Sequence, residues 1–80
     1  MDLHLLRHFV AVAEELHFTR AAERAGIEQS PLSRSIRKLE ARLNVQLFDR
    51  TTRTTRLTPA GEKLLYHARA LLAAADEARI

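Results

Sequence analysis

Eighty residues hold one small domain with one modest core. An apolar share of 46% is too high for a disordered tail, no apolar run reaches membrane-spanning length, and the lack of cysteine excludes disulfides and thiolate metal sites. The net charge of +3 is small but unevenly placed: residues 20–56 carry nine basic side chains against four acidic ones, the footprint of a polyanionic partner.

The first residues, Met1-Asp2-Leu3-His4, lack the basic start and cleavage pattern of a secretory signal, so the cytoplasm is the expected compartment. Leu3, Leu6, Phe9, Val10, Ala13 and Leu16 recur at three- and four-residue steps, which predicts an amphipathic helix over about 3–16. Phe18, Ala21, Ala22 and Ala25 repeat that spacing. They predict a short second helix over 19–25, with Thr19 as its cap and Gly26 in the left-handed position after its end. The alanine face lets another helix approach closely. Ile27 reads as a buried turn residue.

Pro31 stands near the start of a third helix, where its missing N–H costs nothing. Leu32, Ile36, Leu39 and Leu43 make its apolar stripe and predict a helix over about 30–43, ended by Asn44. Val45, Leu47 and Phe48 are expected to return the chain to the core. The run from Arg50 to Thr58 is rich in threonine and has no helical period, which predicts a short two-stranded hairpin, a wing. Thr58-Pro59 is a cap followed by a proline at the first helical position, so a long helix is expected over about 59–78. Gly61 in its first turn implies close packing there.

The outer face of the third helix carries the functional signal. With Leu32 at 0°, Ile36, Leu39 and Leu43 fall within about 40° of it, whereas Ser30, Arg34 and Arg37 fall at about 140–200°. Ser33 and Lys38 flank them. A slim helix with aliphatic anchors on one side and guanidinium groups on the other suits a DNA major groove. Arg34 can bind guanine with two bonds, Gln29 can pair with adenine, and Ser30 and Ser33 can bond a base or a phosphate. The competing reading of this face is an exposed, salt-bridged helix in which Glu40 pairs with Arg37, or a winged helix that meets an acidic protein. Arg50 and Arg53 in the wing, with its threonine hydroxyls, are placed on phosphates and the minor groove.

His4 and His8 have the spacing of a helical metal pair but no third ligand, and the sequence offers no nucleophile–base set, phosphate loop or carboxylate pair. No metal, no cofactor and no catalysis are expected, and no membrane partner. Leu64, Ala68, Leu71 and Ala75, widened by Leu65 and Leu72, give the last helix a broad apolar face. That face can fold back on the domain, pair with a second copy, or do both.

Five stretches, from Leu6 to Glu14, Phe18 to Ala22, Ser30 to Glu40, Leu47 to Arg50 and Leu57 to Gly61, together resemble the amino-terminal domain of LysR-type transcriptional regulators over essentially all 80 residues. The resemblance implies an all-α fold with a small β wing. A winged helix-turn-helix would occupy 1–58 (helix-turn-helix about 18–43, wing about 49–58), followed by a linker helix over 59–80. It implies that Gln29, Ser30, Pro31, Ser33 and Arg34 meet the bases of double-stranded DNA. Thr19, Arg37, Lys38, Arg50, Thr51 and Arg53 then serve phosphates or the groove. It also implies a homodimer through Leu64, Leu65, Ala68, Leu71, Leu72 and Ala75, with a tetramer open to a full-length protein. A small-molecule effector would bind a further, carboxy-terminal domain that these residues do not contain. The expected setting is the bacterial nucleoid. The family often has serine where Glu28 stands, proline where Ser30 stands, and glycine where Asn44 and Thr52 stand.

Overall fold

A computed structural model describes residues 2–51 and 54–78, in the order α1 (Leu3–Glu15), α2 (Phe18–Ala25), α3 (Gln29–Leu43), β1 (Phe48–Arg50), β2 (Thr55–Leu57) and α4 (Pro59–Glu77). The element types are those the periodicity predicts, and the helix ends differ from expectation by a residue. Asp2 caps α1 by accepting the His4 N–H at 2.9 Å. The helix stops where Leu16 turns left-handed, with φ of 51°, a conformation that costs a leucine about 1–2 kcal/mol.

The cap of α2 is His17, not Thr19. The Nδ1 atom of His17 accepts the Arg20 N–H at 3.2 Å, and Thr19 lies inside the helix. Gly26 takes the left-handed position expected of it, with φ of 72°. Asn44 does the same after α3, with φ of 53°. Thr58 caps α4 by accepting the Gly61 N–H at 3.0 Å while donating to the Gln46 carbonyl at 2.7 Å.

The core is built around α1, which packs on α2, α3 and α4. Leu5, Leu6, Phe9, Val12 and Ala13 of α1 meet Ala21, Ala22, Leu32, Ile36, Leu39, Leu47 and Phe48. Phe48 lies between two other rings, 5.5 Å from that of Phe9 and 6.3 Å from that of Phe18. Ala68 and Leu72 of α4 belong to this same core, so the long helix is continuous in packing with the rest of the domain.

Four expected core residues are instead exposed. Leu3 and Leu16 sit at the two ends of α1, beyond the reach of its partners, and Leu5 and Val12 take their place. Leu43 is in the last turn of α3 and Val45 follows the Asn44 turn; they are 36% and 40% exposed because the small core ends at Leu39 and resumes at Leu47. Ile27 is half-buried against the core.

β1 and β2 pair antiparallel, Phe48 opposite Leu57 and Arg50 opposite Thr55. This is the predicted wing. Its base is fixed to α4: the Thr58 N–H donates to the Leu47 carbonyl at 3.0 Å. A Cβ on Gly61 would collide with that same carbonyl oxygen and crowd Leu57 Cδ2. The packing inferred from Gly61 is therefore present, and it locks the start of α4 to both ends of the wing.

Candidate nucleic-acid interface

The structure divides α3 into two faces. Leu32, Ile36 and Leu39 have no exposed surface at all. On the other side Gln29, Ser30, Arg34, Arg37 and Lys38 are exposed, with Pro31 and Ser33 half-buried at the flank. Gln29, Ser30, Ser33, Arg34 and Arg37 line one shallow hollow, which brings together four of the five residues expected to read bases. Among the described residues no carboxylate pairs with Arg34, Arg37 or Lys38. The expected i,i+3 competitor of Arg37, Glu40, turns elsewhere: its Oε2 accepts the N–H groups of Leu47 at 2.8 Å and Phe48 at 3.4 Å.

The start of α3 is open. Glu28 occupies the cap position with extended backbone but makes no side-chain cap bond. The departure from serine thus removes a hydroxyl that would have tied up a first-turn N–H and places a carboxylate at the positive end of the helix. Thr19 reaches this end from α2, its hydroxyl donating to Gln29 Oε1 at 3.3 Å. Thr19, Gln29 and Thr51 lie along a second hollow between α2 and the wing, together with Thr54 and Thr55.

The wing residues are less uniform. The Thr51 hydroxyl is engaged within the turn: it accepts the Thr54 N–H at 3.0 Å and lies 3.0 Å from the Thr54 hydroxyl. Arg50 lies with its guanidinium 4.9 Å from the centroid of the Phe18 ring and its Nη2 3.6 Å from Glu40 Oε1. Arg53 and Thr52 lie outside the described residues.

The residues expected at a dimer face separate in two. Ala68 and Leu72 are in the core, and Leu64 and Leu65 are half-buried against it. Leu71 is 52% exposed and Ala75 is half-buried, so the free part of the stripe is the side that carries Leu71.

Sequence periodicity missed several tertiary contacts that steady this surface. The Nδ1 atom of His8 is 2.9 Å from the Ser35 hydroxyl, which ties α1 to the side of α3. Burial, and then the nearby His4, hold the His8 imidazole below its ordinary pKa, so neutral His8 is the form the packing favours. Glu14 accepts Arg24 Nη2 at 2.6 Å and two bonds from Arg69 at 2.7 and 2.9 Å, joining α1 to α2 and α4. Those hydrogen bonds, Arg24 first, hold the Glu14 carboxyl below the usual carboxylate range. No spacing rule could have found these pairs, because their partners are distant in sequence.

Two helices meeting at the Gly26 corner, the second with a free cationic face, followed by a two-stranded hairpin, define a winged helix-turn-helix. The chain belongs to the lysR family of bacterial regulatory helix-turn-helix proteins, whose family model matches residues 3–62. Over 79 residues it is 54% identical to the HTH-type transcriptional regulator ShiR of Corynebacterium glutamicum, covering 99% of this chain and 27% of ShiR. It is also similar to solved DNA complexes. The BenM DBD with catB site 1 DNA shares 45% identity at a TM-score of 0.92, over 96% of this chain and 86% of that one. The CbnR DBD–DNA complex shares 38% identity at a TM-score of 0.93, over 98% and 90%. The chain therefore spans most of these DBD chains but only about a quarter of ShiR and of the regulator IlvR of Caulobacter vibrioides.

Proposed function

We propose that this chain is the DNA-reading part of a longer transcriptional regulator, and that it acts by binding and not by catalysis. α3 enters the major groove. Gln29, Ser30, Pro31, Ser33 and Arg34 face base edges, while Thr19, Arg37 and Lys38 face phosphates. Thr51 and Arg53 bring the wing to the adjacent minor groove. The observation that carries this reading is the free outer face of α3: three cations without a partner among the described residues, on a helix anchored on its opposite side by the fully buried Leu32, Ile36 and Leu39. The BenM and CbnR complexes support it, because their chains share this fold and are solved on DNA.

The side of α4 that carries the exposed Leu71 forms the face through which two copies pair, so that two α3 helices address a partly palindromic site. A small-molecule effector acts on a further domain of the longer protein, in the bacterial cytoplasm.

Selection of bound sequences from a random duplex pool tests the function. The expected result is a motif with two half-sites, bound at least a thousandfold more tightly than mixed-sequence DNA and weakening steeply with salt. Binding of all duplexes alike, or capture only of acidic proteins, would remove base reading from the account. Sedimentation of the chain at micromolar concentration, with and without the selected duplex, tests the pairing.

A further inference from the structure

The wing is too short to hold its own position. Each strand has three residues, and an isolated hairpin is marginal even when longer. Its exit is fixed to α4 through Leu47, Thr58 and Gly61. Its entry, at Leu47, shares that contact and is held further by one side chain of α3. The Glu40 carboxylate accepts the Leu47 N–H at 2.8 Å and the Phe48 N–H at 3.4 Å through Oε2, and its Oε1 lies 3.6 Å from Arg50 Nη2. Arg50 in turn covers the Phe18 ring of α2. The Glu40 side chain is only 17% exposed, so these bonds are made with little competition from water.

The surroundings fit a structural anchor better than a phosphate seat. Arg37, Glu40, Asp49 and Arg50 line the same hollow, so two carboxylates offset two guanidinium groups. The hollow over Gln29 to Arg37 contains no acid at all.

We infer that Glu40 is the positioning residue of the wing. It fixes the first strand against the recognition helix, so that major-groove and minor-groove contacts are made in one docking, without touching DNA itself. The inference rests on the DNA-binding reading above.

The sign of one substitution separates this role from others. A carboxylate near the DNA-facing side repels phosphate, so a Glu40 without a positioning role gives tighter binding when replaced by Gln. As a positioning residue it gives the opposite. Glu40→Gln is expected to bind the selected duplex about tenfold more weakly, the loss of roughly one groove contact, despite its more positive charge. Glu40→Asp, which keeps the charge but draws the carboxylate back by a methylene, should weaken binding similarly. In both variants the selected motif should lose preference at the wing-facing positions and keep it where Arg34 reads. A general loss of stability would not produce that split. A folded Glu40→Gln that binds as tightly as the wild type, or more tightly, overturns the inference. If neither variant folds, a through-bond coupling between the Leu47 amide nitrogen and the Glu40 carboxyl carbon in the wild type decides, and its absence overturns the inference. A wild-type chain that binds neither selected nor mixed duplex overturns the DNA-binding reading and this inference with it. In that case the Leu47–Glu40 coupling would still be measurable as a feature of the fold.

Discussion

On the flank formed by α1, α2 and α4, Arg7, Arg24 and Arg69 each meet a carboxylate: Asp76, Glu14 with Glu15, and Glu14. On the outer face of α3, Arg34, Arg37 and Lys38 meet none among the described residues. The same side-chain type thus does two kinds of work. Paired arginines tie helices together and leave little charge for a ligand. Unpaired ones contribute little to the fold and keep their charge for a partner. Composition alone counts all of them as basic. The basic block of residues 20–56 is accordingly a mixed population, with Arg24 and Arg50 already engaged and the α3 cations free.

The largest test of this contrast is Arg34→Ala. It should cost about 1–3 kcal/mol of DNA affinity and relax base choice at one position in each half-site. The unfolding temperature should stay nearly unchanged, because Arg34 is exposed and makes no ion pair among the described residues. An equal loss on every sequence would make Arg34 a phosphate contact instead.

Glu14→Gln is expected to act the other way. It removes the shared partner of Arg24 and Arg69, and should cost about 1 kcal/mol of stability, the upper end for partly exposed pairs. The selected DNA motif should not change. The folded carboxyl of Glu14 is held low by its arginines, so its contribution is present above the unfolded value of about 4.3 and is lost as pH falls through the lower folded value. Denaturant titrations of wild type and variant should therefore converge in acid. A gap that persists in acid, once the folded carboxyl is protonated, would mean that Glu14 acts through packing and not through charge.

The smallest effect is expected for Lys38→Ala. It should weaken all sequences alike and lower the salt slope by about one, with stability within about 0.5 kcal/mol. A change of motif would move Lys38 from the phosphates to the bases.

Much of the α3 surface was legible in the sequence. The wheel that set Leu32, Ile36 and Leu39 opposite Ser30, Arg34 and Arg37 is the arrangement the structure shows. It worked because a helix converts spacing directly into direction. It failed at Leu43, where the stripe continues but the opposing core does not. In α4 the apolar stripe is covered on the side of Ala68 and Leu72 and free on the side of Leu71. Where a stripe stops being covered depends on the length of the neighbouring helix, and no local period encodes that. The caps show the same division. Gly26, Asn44 and Thr58 act as the sequence predicts, whereas α2 starts one residue early at Phe18, so its cap is His17, whose ring accepts the Arg20 N–H.

The sequence by itself determined the order and type of the elements, the two faces of α3, and the glycine contact at Gly61. Each follows from a residue's own conformational preference or from a helical repeat. Only the tertiary structure decided which cations are free. Glu40 stands three residues from Arg37, a spacing that predicts an ion pair, yet it bonds the Leu47 and Phe48 N–H groups and approaches Arg50. Buried backbone donors at the entry to the wing need an acceptor more than an exposed guanidinium needs a partner in water. That preference leaves Arg37 without an ion-pair partner among the described residues, on the face proposed to meet DNA, and it can be seen only when the wing is folded against α3.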